Sequence, residues 1–408
     1  MLTYEAAREK VIEVVRARAA ATPTESIEFS GDPARALGRV LAEDVLADRD
    51  YPPFDRSVRD GFAVRAADAA QPGARLRLIG ESRAGVAFNG SVDAGNCVQI
   101  MTGAAVPNGA DSVIMIEYAR PNGDFVLFER AAGRGQHIVP AGREGRSGQI
   151  AVARGTGLGY AELSMAAQVG RTSVAVARRP RVAVLATGDE IVAVDATPGP
   201  FEIRNSNSVS LAAQIALVAA EPMMLGNASD NFGELRRFIE RGLEADVLVI
   251  TGGVSVGKYD LVEQVLRDLG AEFFFDAIAI RPGKPAVFGW CKGKPVFGLP
   301  GNPVSTMVTF ELLVTAALDI LSGRAAQPLP IFKAKLAHAI DEKPPLSHFL
   351  PARVTWSAGE PVVEAITWEG SGDIGAVVRG NCFIVAHASK LKLAPGDWAD
   401  VLPRRGAF

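Results

Sequence analysis

Hydrophobic and polar positions change their rhythm several times along the chain. Ala7, Val11, Val14 and Val15 recur at helical spacing and predict an amphipathic helix from Tyr4 to about Ala20; a second short helix is expected over residues 34–41, after Asp32-Pro33. Residues 76–81, 97–101, 112–118 and 125–129 read as short strands broken by glycine turns. Residues 142–158 are glycine-rich and alternating, and 160–170 return to a helical pattern. After Arg179-Pro180 the apolar run 181–186 predicts a buried strand. Helices at about 207–219, 232–243 and 260–269 then alternate with strands at 247–250, 286–288 and 296–299, and an apolar helix runs to about Leu321. Beyond Gly323 the strand pattern resumes at 331–337, 350–356, 362–367, 382–386 and 398–402.

This succession predicts an α/β multidomain protein whose central domain holds a mostly parallel sheet. Cut at the changes of rhythm, residues 1–46 with 146–178 form a discontinuous helical or linker domain, 47–145 a small β-rich domain, 179–326 the α/β domain and 327–408 a C-terminal β module. A chain of 408 residues is long enough for several cores, since single domains run to roughly 100–200 residues. With 48 % hydrophobic and 22 % charged residues, disorder is not the dominant state. A net charge of −3 disfavours a broad nucleic-acid surface while leaving room for a local basic pocket. Cys97, Cys291 and Cys382 are too far apart for a C-x-x-C site and are expected as buried thiols. No basic-then-apolar leader opens the chain, so a cytoplasmic location without membrane contact is the expectation.

The chemistry gathers around residues 247–260, a strand, the turn Thr251-Gly252-Gly253 and then a helix. Such a unit aims backbone N–H groups at anions, and glycine lets the backbone approach a ligand. The spacing from Gly252 through Ser255 to Lys258 resembles a P-loop. Tyr259, however, stands where a hydroxyl should bind Mg²⁺, so an NTPase is disfavoured. A second anion-ready turn, Pro300-Gly301-Asn302, leads through Pro303 to Ser305, and Arg281 and Lys284 flank a Pro-Gly corner between the two. Glu190, Asp230 and Asp260 follow strands or turns. Taken singly, Asp230 and Asp260 read first as helix caps; on one sheet rim the three acids would suit Mg²⁺ bridging a phosphate. Scattered His137, His338, His348 and His387 give little support to a zinc triad.

Pro53-Phe54-Asp55-Arg56-Ser57 with Asp60-Gly61-Phe62-Ala63, then Met101-Thr102-Gly103-Ala104, Thr187-Gly188-Asp189-Glu190, Asn205-Ser206-Asn207, the glycine turn from Gly252 to Gly257, Pro282-Gly283-Lys284-Pro285 and the run from Gly298 to Ser305 resemble, in that order, the MoeA-type molybdopterin molybdenumtransferases, which include the E domain of gephyrin. The resemblance spans about residues 54–381. It implies an elongated homodimer of four-domain protomers, with an α/β domain like the molybdopterin adenylyltransferases and a C-terminal β barrel. It also implies a reaction: adenylylated molybdopterin and molybdate give molybdenum cofactor and AMP with Mg²⁺, in a cleft shared between protomers. A molybdate oxygen would attack the adenylylated phosphate, AMP would leave and the dithiolene would capture the metal. Transient contact with a molybdopterin adenylyltransferase or with molybdoenzymes is a further expectation; nucleic acid is not.

Carried over by position, Asp60 and Thr102 resemble cleft residues of the small β domain. Glu190, Asp230 and Asp260 match the acids that hold the cation and the pyrophosphate end. Lys284, Pro285 and Ser305 match the molybdate positions, and Arg353 and Ser371 the partners from the C-terminal module. Asn205, Gly252, Gly253, Ser255, Arg281, Pro300, Gly301 and Asn302 complete the expected substrate-binding set. The family's Gly-Glu-Asp aligns with Gly142-Arg143-Glu144, the basic residues usually just before it are missing from 137–140, and Ala277 stands where a lysine is usual. Two other readings remain: an adenylyltransferase, which would not need the extra β modules or Arg353, and a non-catalytic scaffold or divergent paralogue, which would not need Asp60, Glu190, Asp260 and Lys284 together.

Overall fold

A computed structural model describes residues 1–253 and 261–407. Its central sheet is built on Val247–Thr251, a run of apolar side chains ending in Thr251 that is buried on both faces. Only a strand covered on both sides accommodates such a run. Six strands lie in the order Glu221–Ala228, Arg181–Thr187, Val247–Thr251, Lys294–Leu299, Val287–Cys291, Glu272–Phe275. The first four are parallel and the last two join antiparallel, so the sheet is mixed, with its parallel part at the centre. From Arg181–Thr187 the chain moves to one side of the sheet for Glu221–Ala228 and then returns to the other for Val247–Thr251. This reversal opens a crevice beyond Thr187 and Thr251.

Residues 303–321 form one continuous helical rod, Pro303–Thr309, a π turn at Phe310–Val314 and Thr315–Leu321. It is long and apolar enough to cross a bilayer, yet 83 % of its apolar window is buried inside the fold, as befits a core helix. Helix Tyr4–Arg18 packs here, with Tyr4, Ala7, Val11, Val14 and Val15 in the same core as Leu312, Leu313 and Ala316. The Arg8 guanidinium donates to the Leu312 carbonyl at 2.8 Å and the Gln327 carbonyl at 2.6 Å. Its apolar stripe lies against the rod, and Arg8 also donates to Thr315 Oγ1 at 3.2 Å, next to the π turn.

Strand Thr24–Glu28 pairs with Ser173–Ala177, and Val45–Leu46 with Ile150–Val152, so chain segments on either side of the small β domain lie side by side. No α-helix covers residues 34–41: Pro33–Arg35 is a single 3-10 turn, after which Val40 and Leu41 bridge to Gly157 and Val176. Gly38, at φ 74°, breaks any helical continuation. The small β domain is a six-stranded sheet centred on Gly61–Val64, Asn96–Ile100 and Ala74–Ser82. In the C-terminal module Ser347–Ser357 pairs with both Glu360–Ala365 and Cys382–Ala386. Trp398–Pro403 and Phe332–Leu336 complete the ring, a closed five-stranded barrel. All three cysteines are buried and unpaired, and burial pushes the Cys97 and Cys382 thiols up to about 12.

Candidate active site

Thr187-Gly188 and Thr251-Gly252 end adjacent parallel strands at the reversal point of the sheet. Gly252 has φ 86° and Gly253 φ 60°, and a Cβ at Gly252 would lie 2.4 Å from the Thr187 carbonyl oxygen. The turn therefore requires glycine both for its backbone angles and for the approach of its neighbour. A cleft of about 520 Å³ opens here, lined among others by Thr187, Glu190, Arg204, Asn207, Gly252 and Asn302.

Helix Ser206–Leu217 points its N-terminus into this cleft. Asn205 caps it, its Oδ1 accepting from the Ser208 N–H at 3.0 Å while its amide donates to Ser208 Oγ at 2.8 Å and Asn227 Oδ1 at 2.5 Å. Asn205 thus lines the cleft with its polar atoms spent on the frame. Asn207, two residues on, donates from Nδ2 to Thr251 Oγ1 at 2.9 Å and to the Gly301 carbonyl at 2.7 Å. It joins the helix end to both glycine turns. The Pro300 carbonyl adds a second link, accepting from Thr251 Oγ1 at 3.2 Å and Thr306 Oγ1 at 2.5 Å. Thr187 Oγ1 and Asn207 Oδ1, both in the cleft wall, are buried without a hydrogen-bond partner among the described residues. Unpaired buried oxygens are rare in proteins, and here they mark a place where a bound molecule would supply the missing donor.

Acidic groups collect at the end of the Arg181–Thr187 and Glu221–Ala228 strands. The Asp230 N–H donates to Asp189 Oδ1 at 3.0 Å, and partial burial, then the charges of Asp189 and Glu190, hold the Asp230 carboxyl above its ordinary range. Asp230 is not the cap of the next helix. That place belongs to Asn231, whose Oδ1 accepts from the Glu234 N–H at 3.1 Å, so the Asp230 carboxylate is not spent on the cap. Among the described residues, no group of three or more His, Cys, Asp or Glu is arranged to hold a metal ion. Ser255 and Asp260 lie outside the described residues.

The remaining candidates sit around this centre. Asn302 occupies the N-cap position of Pro303–Thr309 without capping it: its Nδ2 donates to Ser371 Oγ at 2.8 Å, and the Val304 N–H donates to the Ser371 carbonyl at 3.0 Å. The loop from the C-terminal module is thereby fastened at the cleft rim, where Gly372 and Ile374 form part of the wall. Ser305 is buried, and its carbonyl accepts from Thr309 Oγ1 at 2.8 Å. Gly283 packs against Thr309, so the corner carrying exposed Arg281 and Lys284 and the half-buried Pro285 lies beside this same helical turn without lining the cleft. Strand Ile280–Arg281 also pairs with Ser347 and His348 of the barrel module. Arg353 grips the Arg379 carbonyl with Nε and Nη2 at 3.0 and 2.6 Å, at the far end of helix Ile374–Arg379 from the cleft.

Asp60 and Thr102 meet in the small β domain: Asp60 Oδ1 accepts from the Thr102 N–H at 2.7 Å and its Oγ1 at 2.9 Å. Those two donors, the N–H foremost, hold the Asp60 carboxyl below its ordinary range. Neither residue lines the cleft of its own chain among the described residues. Sequence reasoning passed over Arg204, the one cation among the described lining residues, and the linking role of Asn207. The signal for Asn207 was present in Asn205-Ser206-Asn207; for Arg204 there was none.

Three family descriptions match the chain in succession: the MoeA N-terminal region (domain I and II) over residues 2–170, a probable molybdopterin binding domain over 183–319, and the MoeA C-terminal region (domain IV) over 333–403. The molybdopterin molybdenumtransferase of Bacillus subtilis strain 168 is 33 % identical over 376 residues, covering 90 % of this chain and 87 % of its own. That of Staphylococcus epidermidis RP62A is 31 % identical over 372 residues, covering 90 % and 89 %. Two solved structures of the molybdopterin biosynthesis MoeA protein from Pyrococcus horikoshii superpose along nearly the whole chain. One is 33 % identical with a TM-score of 0.75 and covers 97 % of this chain and 98 % of its own; the other is 26 % identical with a TM-score of 0.82 and covers 99 % and 100 %. Matched end to end by these regions, relatives and structures, the chain belongs to the MoeA family of molybdopterin molybdenumtransferases.

Proposed function

We propose that this chain inserts molybdenum in molybdenum cofactor biosynthesis, converting adenylylated molybdopterin and molybdate to molybdenum cofactor and AMP. The observation that carries the reading is the cleft at the strand reversal, where two glycine turns and the N-terminus of helix Ser206–Leu217 meet beside Asp189, Glu190 and Asp230. Helix and turn amides bind the phosphate end of the substrate, the Thr187 hydroxyl donates to it, and Asn207 Oδ1 accepts from an N–H or O–H elsewhere on the substrate. Lys284 and Ser305 position molybdate, and Ser371 braces Asn302 from the C-terminal module.

Repulsion among Asp189, Glu190 and Asp230 is what a hard dication relieves, and carboxylate oxygens suit Mg²⁺. In this reading Glu190 and Asp230 hold the ion together with Asp260. When bound, it would supply charge neutralisation to the phosphoanhydride. The absence of Asp60 and Thr102 from the same chain's cleft supports a homodimer in which the partner's small β domain closes the site. Phe201, 91 % exposed, and Ile203, 58 % exposed and lining the cleft, offer an apolar face for that contact.

Purified protein mixed with adenylylated molybdopterin, Mg²⁺ and molybdate should release AMP. No release refutes the reading, and equal release by Asp260→Ala refutes its acid site. Lys284→Ala should raise the molybdate concentration needed for half-maximal rate; an unchanged dependence would remove Lys284 from the anion site.

A further inference from the structure

The helices whose first residues frame the cleft share a second cavity farther along their flanks. About 170 Å³ in volume, it is walled by Ala213 and Leu217 of helix Ser206–Leu217, Met307 of the 303–321 rod, Val377 of Ile374–Arg379, Phe383 of the barrel and Leu402 near the C-terminus. The walls are apolar and the size suits one aromatic ring; a cavity of roughly 150 Å³ takes benzene. Its polar groups are few and specific. Glu311, 7 % exposed, is already neutralised: Oε2 accepts from Arg405 Nε at 3.2 Å, and Oε1 accepts from Gln214 Nε2 at 3.3 Å. Because Gln214 Nε2 also donates to the Met307 carbonyl at 3.1 Å, its orientation is fixed and Oε1 is left over.

Gln214 Oε1 and Arg404 Nε, both belonging to lining residues, are buried without a partner among the described residues. The same signature, two orphaned polar atoms in one cavity wall, occurs at the cleft with Thr187 and Asn207. Here one orphan is an acceptor and the other a donor, which asks for a group carrying both an N–H and a carbonyl. Glu311 and Arg405 offset each other, and of the Arg404 guanidinium only Nε is both buried and unpaired among the described residues, so a carbonyl oxygen is enough to satisfy it. We infer that this cavity is a second ligand site, separate from the cleft chemistry, for a small neutral molecule that joins an aromatic or similarly apolar ring to an amide or lactam. The ring fills the apolar walls, the amide N–H donates to Gln214 Oε1 and the amide carbonyl accepts from Arg404 Nε–H.

4-Fluorobenzamide followed by fluorine NMR against the full-length protein tests this directly. Expected is a saturable shift or broadening that unlabelled benzamide reverses, with fluorobenzene binding at least tenfold more weakly; a response that does not saturate overturns the site. Ala213 is exposed, so Ala213→Phe should fold, fill the cavity and abolish the response. Binding unchanged in that variant, with its thermal melting intact, overturns the location. Gln214→Met keeps the shape while removing the acceptor and should weaken binding about tenfold, the worth of one hydrogen bond. Equal affinity in that variant, or equal affinity for fluorobenzene, overturns the amide class.

Discussion

The side-chain amide of Asn207 lies 2.7 Å from the Gly301 carbonyl, and that bond with its companion to Thr251 Oγ1 sets the spacing between the two glycine turns of the cleft. Three elements far apart in sequence therefore meet at one residue, and the bond from Thr251 Oγ1 to the Pro300 carbonyl links the two turns a second time. Asn207→Leu removes both bonds, at about 1 kcal/mol each, while Thr251 Oγ1 keeps its bond to the Pro300 carbonyl. AMP formation should fall tenfold or more while the melting temperature drops by only a few °C. A variant that melts as the native protein and releases AMP at the native rate would show the link to be dispensable.

Gly252 supplies a test of the turn itself. Gly252→Ala places a methyl group 2.4 Å from the Thr187 carbonyl oxygen on a backbone at φ 86°. The left-handed conformation alone costs an alanine about 1–2 kcal/mol, and the clash adds to it. Thermal unfolding should register a loss of at least about 2 kcal/mol. Gly301→Ala, where the nearest foreign atom is 3.6 Å away, should cost less.

The sequence displayed strands more openly than contacts. Val247–Thr251 and Arg181–Thr187 were legible because a strand buried on both faces must be apolar throughout. Helix Tyr4–Arg18 was equally legible as a helix, but nothing in its stripe says which surface it covers, and it covers the 303–321 rod. At Asp230-Asn231 two adjacent residues can each cap a helix, and composition does not choose between them; the bond from Glu234 N–H to Asn231 Oδ1 does. Asn302 illustrates the converse, a capping residue at the capping position whose side chain a distant serine, Ser371, has drawn away. Local pattern yields to tertiary partners at those positions, and they are the ones around the cleft.

Partial burial and the charges of Asp189 and Glu190 hold the Asp230 carboxyl above its ordinary range, a cost to the fold that the proposed Mg²⁺ ion would offset. Asp230→Asn should melt at a higher temperature than the native protein in chelator. Adding Mg²⁺ should raise the melting temperature of the native protein and close the gap, with a smaller response in the variant. Equal Mg²⁺ responses in both proteins would take Asp230 out of the cation site.

Asp60 gives the pH dependence. Its carboxyl titrates below the ordinary carboxylate range in the fold because the Thr102 N–H and hydroxyl both donate to the ionised form. A depressed acid contributes stability that is present above its unfolded pKa and lost as pH falls through its folded one. Thr102→Val removes the hydroxyl and keeps the N–H, so the folded value should move part of the way back toward the ordinary range. The native protein should therefore melt above the variant at neutral pH, and the difference should narrow as the pH is lowered through the carboxylate range. A gap that stays constant from neutral pH to below that range would mean the valine acts through packing alone, and the Asp60–Thr102 bond would carry none of the pH dependence.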